Sequence, residues 1–180
     1  MTDLIPSNGK NYFSSAVSYG SNKSVTKITF DEGITHIGNY YFYASATGMY
    51  PNLSEVVFPS TLKSIGNYAF AYVSGKFTCE FPTGLESIGT SAFTSSGING
   101  GNLGGVLKEI GSGAFSGCKD LTGKIKVTDP GVTVKSYAFQ NCTGITEIEI
   151  VPSDTVLEDL AFYGMTGVKK VTIPCDIEYA

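Results

Sequence analysis

The chain has 180 residues, with 22 Gly, 11 Phe, 11 Tyr, one His and no Trp, and a formal net charge of −4 from 12 basic and 16 acidic residues. One His excludes zinc sites built on two or three imidazoles and the HExxH proteases, and the lack of a basic block argues against nucleic acid and against an anionic-membrane anchor. The longest apolar-aromatic run, Tyr40 to Ala46, is too short to cross a bilayer, and the start, Met1-Thr-Asp-Leu-Ile-Pro6, lacks the basic and apolar regions of a secretory signal.

Residues 1–24 carry no repeat and are rich in Ser, Asn and Tyr. They read as an N-terminal cap, with Leu4, Ile5, Tyr12, Phe13 and Val17 covering the first coil. Residues 25–180 read as an array of six repeats and a truncated seventh. Ile28 and Phe30 have the two-residue period of a strand with one buried face, and Ile37-Gly-Asn-Tyr-Tyr-Phe42 comes next. An insertion at Ala44 to Met49 precedes the pair Val56 and Phe58 and the segment Ile65-Gly-Asn-Tyr-Ala-Phe70. Cys79 and Phe81 lead to Ile88-Gly-Thr-Ser-Ala-Phe93. The Gly-rich run Gly97 to Gly105 holds the weak pair Gly101 and Leu103, then Ile110-Gly-Ser-Gly-Ala-Phe115. Ile125 and Val127 precede Val134-Lys-Ser-Tyr-Ala-Phe139, and Ile148 and Ile150 precede Leu157-Glu-Asp-Leu-Ala-Phe162. A seventh strand runs from Val168 to Ile173. The terminal Phe residues are spaced 28, 23, 22, 24 and 23 apart. Pro59, Pro82, Pro152 and Pro174 stand just after strands, where a missing N–H ends pairing.

A unit of this length with one strand cannot bury its apolar side alone, so the units stack. The expected fold is a solenoid with one parallel β-sheet of about seven strands on one face and short turns, 3-10 or helical segments on the other. Gly38, Gly66, Gly89 and Gly111 mark positions needing positive φ or close backbone approach. Ile173 and Ile177 look like core positions, so the array is expected either to continue in a longer chain or to be covered by another molecule.

Strands of L-x-x-I-x-I-P type followed by x-x-I-G-x-x-A-F-x-x-C resemble the BspA-like leucine-rich repeats, over about Val25 to Ile177. Cys118 and Cys142 hold the last position of that pattern. Departures are Val134-Lys and Leu157-Glu in place of I-G, the insertion, and the Gly-rich coil. The resemblance implies a horseshoe or gently curved solenoid. It implies a secreted or surface-exposed microbial module for adhesion or protein interaction, with host extracellular proteins or other cells as partners. It implies no enzyme activity and no cofactor. The expected function is a non-catalytic binding module. A structural spacer of a larger surface protein and a carbohydrate-binding module are the alternatives.

The residues that could carry chemistry each have a simpler role. His36 precedes Ile37 at a variable position and reads as a solvated surface residue. Coils lie about 4.8 Å apart, so the thiol of Cys118 is out of its reach. Cys118 and Cys142 would stack within disulfide range, but Val73, Tyr50 and Met165 hold the same position, so buried free thiols are the other reading. Glu147 and Glu149 flank Ile148 at a separation suited to an inverting glycosidase. Lys124, Lys126 and Lys170 sit one coil away, however, and make a cross-strand charge ladder the preferred reading. The Gly-rich run matches no phosphate-binding motif. The sequons at Asn22, Asn52 and Asn141 are near chance.

Two surfaces are candidates for recognition. Tyr40 and Tyr68 occupy one column in successive coils, with Tyr41, Tyr43, Tyr50 and Tyr72 close by, and insertions in repeat arrays often mark the binding face. Tyr41 takes the Ala slot and is expected to pack. The open face of the sheet is the second, with Lys27, Thr29, Glu55, Val57, Thr78, Glu80, Lys124, Lys126, Glu147, Glu149, Lys170 and Thr172 facing outward. Its partners would be polar: protein first, glycan second.

Overall fold

A computed structural model describes residues 23–44, 50–100, 103 and 106–174. Most of the expected cap, the core of the insertion, Gly101, Cys175 and Ile177 lie outside the described residues. Eleven short strands are present among them: β1 Lys27–Thr29, β2 His36–Ile37, β3 Glu55–Val57, β4 Ser64–Ile65, β5 Ser87–Ile88, β6 Glu109–Ile110, β7 Gly123–Val127, β8 Thr133–Val134, β9 Ile145–Ile150, β10 Val156–Leu157 and β11 Lys170–Thr172. All pair in parallel with the neighbouring coil: β1 with β3, β7 with β9 and β9 with β11, and β2-β4-β5-β6-β8-β10 as one ladder.

The solenoid and its parallel pairing match expectation, but the strands are distributed differently. The aliphatic residue of the I-G step and the residue before it form a second ladder, of six strands, with Ile37, Ile65, Ile88, Ile110 and Val134 in register and facing inward. The expected sheet is the first ladder, and it is interrupted. Between β3 and β7 it thins to single bridges, Glu55 to Thr78 and Phe77 to Ile98, where the Gly-rich coil departs from the strand pattern. A cavity of about 240 Å³ opens at this break, floored by Phe81, Leu103, Phe115 and Ile125.

The third side has turns and no helical or 3-10 segment among the described residues. It is held by its own ladder of backbone bonds. The Phe70, Phe93, Phe115 and Phe139 amides donate to the Ala92, Ala114, Ala138 and Ala161 carbonyls of the next coil at 2.7–2.8 Å. Two residues per coil take the left-handed conformation there, except in the first, which has one. The first stands two before the Phe: Tyr40, Tyr68, Ser91, Gly113, Tyr137 and Leu160, φ 53–61°. The second stands two after it: Tyr72, Ser95, Gly117, Asn141 and Gly164. These paired reversals turn the chain twice within five residues, which a regular helix would not do.

The six repeat Phe residues stack in one column. Ring centroids from Phe42 through Phe139 are 5.2 Å apart at each step, and Phe139 to Phe162 is 5.6 Å. Phe70, Phe93, Phe115 and Phe139 are fully buried, while Phe162 is half-buried. Ile173, expected in the core, is 42% exposed, because no described coil covers it.

The glycines of the I-G step answer to close approach, not to φ. A Cβ on Gly111 would sit 2.6 Å from the Gly89 carbonyl carbon and the Thr90 nitrogen, and Gly66 and Gly89 meet the preceding coil equally closely. Lys135 and Glu158 replace glycine in the last two coils and bond across the stack. Lys135 pairs with Glu109 at 3.1 Å, and the Glu158 carboxylate accepts from the Ser136 amide at 2.9 Å.

Candidate functional site

The turn face gathers four of the five predicted tyrosines. Tyr40 and Tyr68 stack at 5.0 Å with planes 4° apart. Tyr43 meets Tyr40, Tyr68 and Tyr72 edge-on at 5.5, 6.3 and 5.9 Å. Tyr40, Tyr68 and Tyr72 take the left-handed backbone of the turn segments with their rings on the outer face, Tyr40 49% and Tyr72 38% exposed. Tyr50 does not belong to this cluster. It is 1% exposed and packs edge-on against Phe42 at 5.9 Å, because the chain returning from the insertion folds it into the core. Tyr41 is half-buried beside Phe30, and burial raises its phenol pKa.

Three further exposed side chains lie in the same columns near the last coils: Tyr137 at 40%, Leu160 at 49% and Tyr163 at 56%. Tyr137 stands where Tyr40 and Tyr68 stand, two before the Phe, so column alignment of the six copies was the signal that could have found it.

The sheet face carries the expected residues, and nearly all of its charges are mutually satisfied. Lys27 pairs with Glu55 at 3.0 Å. Lys124 bonds Glu149 and lies 3.4 Å from Glu147. Lys126 reaches Glu149 at 3.6 Å, and Lys170 reaches Glu147 at 2.8 Å. The Lys170 hydrogen bond lowers the pKa of Glu147, the Lys124 hydrogen bond lowers that of Glu149, and Glu149 raises that of Lys124. A general acid of glycoside hydrolysis needs its pKa raised, so both shifts run the wrong way for that chemistry. Glu80 is exposed and makes no ion pair among the described residues; its charge adds to the burial that pushes the Cys79 thiol up.

The remaining chemistry-bearing residues are structural. Cys79, Cys118 and Cys142 are free and buried. Cys118 donates to the Phe93 carbonyl at 2.9 Å and Cys142 to the Phe115 carbonyl at 3.0 Å. Of the two readings of Cys118 and Cys142, the structure has the free thiols, and burial pushes Cys118 up to about 12. A thiolate nucleophile needs the reverse. His36 is exposed and shares a 2.6 Å hydrogen bond with Ser64 in the next coil, with no carboxylate bonded to its other nitrogen among the described residues. No group of three His, Cys, Asp or Glu among them is placed to hold a metal ion. No helix there is long and apolar enough to cross a membrane.

Parallel ladders repeated coil by coil, with the Phe column inside and the Tyr40, Tyr43, Tyr68 and Tyr72 cluster and the charge ladder on outer faces, define a solenoid repeat protein. The chain belongs to the BspA type leucine rich repeat family, whose model matches six copies over residues 15–122, 47–164 and 108–180. Among solved structures it is similar to a leucine rich repeat protein of T. pallidum, at 20% identity and a TM-score of 0.67 over 86% of this chain and 72% of that one. That likeness shows the fold. Weaker matches are a leucine-rich repeat protein from Bacteroides ovatus, 18% identical with a TM-score of 0.45 over 88% of this chain, and a leucine rich cell surface protein from Faecalibacterium prausnitzii, 15% identical with a TM-score of 0.41 over 88%. The chain spans 63% and 60% of those two. No curated protein matches it in sequence.

Proposed function

We propose that this chain is a non-catalytic binding module, displayed at a cell surface or secreted, that serves adhesion or protein interaction through its tyrosine face. The observation that carries this reading is the cluster of Tyr40, Tyr43, Tyr68 and Tyr72. These rings are held rigidly by one another and left partly in water on a face without charge. Tyrosine is enriched where partners dock, since a large ring is fixed at little entropic cost. The sheet face is the poorer candidate, because its charges would have to leave their present partners to meet new ones. The shifts of Glu147, Glu149 and the cysteines support no catalytic role. The family membership supports a repeat protein, and the surface location rests on the family's character.

The test is binding of the chain to immobilised extracellular-matrix proteins, beside a variant with Tyr40, Tyr43, Tyr68 and Tyr72 all changed to Ser. Binding by the parent and its loss in the variant, with an unchanged circular dichroism spectrum, is expected. Equal binding by both moves the site off this face. Binding by neither favours the spacer reading, in which the stack only holds other parts of a larger protein apart.

A further inference from the structure

The tyrosine ladder has a gap. The position two before each repeat Phe has nearly the same backbone in five successive coils, with φ of 58, 56, 53, 61 and 61° at Tyr40, Tyr68, Ser91, Gly113 and Tyr137. The rungs are tied at equal spacing, Tyr68 donating to the Thr90 carbonyl and Ser91 to the Ser112 carbonyl, both at 2.9 Å. Tyr40 and Tyr68 fill adjacent rungs and stack face to face at 5.0 Å. The next two rungs carry a hydroxymethyl group and a hydrogen. The ring of Tyr68 therefore has one face against Tyr40 and the other turned to a notch two rungs long, which closes at Tyr137.

From this notch we infer a subsite for the terminal residue of a neutral glycan, stacked on the open face of Tyr68. The inference rests on the reading of the turn face as the recognition surface and names what it takes. Three features select this ligand. First, the turn segments of five coils, residues 39–44, 67–74, 90–97, 112–118 and 136–142, contain no charged residue, although the chain has 12 basic and 16 acidic ones. A phosphorylated, sulfated or acidic ligand finds no counter-charge there. Second, the floor is polar. The hydroxyls of Ser91 and Thr94 lie 3.4 and 4.0 Å from where a Cβ on Gly113 would stand. Third, the wall is aromatic. A pyranose has an apolar C–H face that packs on a ring and a rim of hydroxyls that bond to a floor of this kind, so one small molecule answers both surfaces. An apolar side chain from a protein partner would cover the ring but leave the Ser91 hydroxyl dry and unpaired, which is unfavourable.

The chain has 11 Tyr and no Trp, so its emission reports tyrosine directly. The experiment titrates the full chain with lactose, maltotriose, mannotriose and triacetylchitotriose, following tyrosine emission and amide chemical shifts, with sialyllactose as the charged control. Saturable changes at Tyr68 and Ser91 with at least one neutral sugar, and weaker ones with the charged control, are expected. The decisive variant is Ser91→Tyr. Tyrosine already occupies this rung in three other coils at nearly the same φ, so the variant should fold and melt no lower than the parent while filling the notch. It should weaken sugar binding on the order of tenfold or more, as should Tyr68→Ala, a change the size of one aromatic contact. No saturable binding by any of the four neutral sugars, or undiminished binding by Ser91→Tyr, overturns the inference. A matrix protein that binds through the tyrosines while no sugar does leaves the proposed function standing and removes the glycan. If Ser91→Tyr instead blocks that protein, the notch takes a protein side chain and the glycan is again excluded.

Discussion

At the residue scale, two kinds of position hold each coil, and they differ in how visible they are. The Phe of the A-F pair recurs at fixed spacing and was legible at once, because a buried stacked ring tolerates little replacement. Phe115 is 0% exposed and lies 5.2 Å from a parallel ring on each side. Truncation to Ala removes the buried surface and two ring contacts and leaves a void that coils tied by backbone bonds cannot close. Phe115→Ala should cost about 3–5 kcal/mol, read as a lower urea midpoint with the slope unchanged. A loss under about 1 kcal/mol would deny the position its core role. The left-handed positions were not legible. Glycine ordinarily announces positive φ, but Tyr40, Tyr68, Ser91 and Tyr137 adopt it here, while Gly66, Gly89 and Gly111 serve close approach instead. Column alignment marked Tyr40 and Tyr68 for the surface, but nothing in these residue types announced the positive φ, and the sign that Tyr50 turns in was the buried slot it shares with Val73, Cys118 and Cys142.

At the scale of the element, the charge ladder across β7, β9 and β11 was legible from alternation, since residues flanking a buried Ile148 must face out and a coil shift places Lys beside Glu. The second ladder was not, because strands of two residues show no period. The charge ladder has a consequence for pH. Lysine hydrogen bonds hold Glu147 and Glu149 below their ordinary value of 4.5 in the folded chain. A carboxylate with its pKa depressed by folding contributes stability above its unfolded pKa and loses it as pH falls through the folded one. Stability should thus be flat from neutral pH down to about 5 and decline below about 4.5. Both groups are solvent-exposed, so the effect is small and screened by salt. Lys124→Ala, which removes the cation shared by both carboxylates, should make the decline shallower in low-salt urea titrations at pH 7 and pH 3.5. An unaltered pH dependence would mean that these ions are solvated independently and that the ladder contributes nothing to folding.

At the scale of the whole molecule, stacking makes stability a sum over neighbours, so a coil with two neighbours is held better than a coil with one described neighbour. The surface shows this gradient. In β9, Ile148 and Ile150 are 4% and 2% exposed, whereas in β11 Val171 is 55% exposed, and Phe139 is fully buried whereas Phe162 in the last full coil is half-buried. The backbone shows it too. The Phe93, Phe115 and Phe139 amides each donate to the coil beyond at 2.7–2.8 Å, and the Phe162 amide has no such bond among the described residues. Hydrogen exchange should therefore be graded along the solenoid axis. Amides of Phe93 and Phe115 should open only with the global transition, and those of Phe162 and Val171 should exchange roughly a hundredfold faster or more through local fraying. Adding a ligand that seats on the tyrosine face at the first three coils should slow the central amides by stabilising the folded stack as a whole, and leave the frayed end unchanged, since fraying there does not pass through the bound coils. Uniform exchange from Phe70 to Val171 would show instead that the array melts as one cooperative block, with its outer coil stabilised by contacts other than stacking.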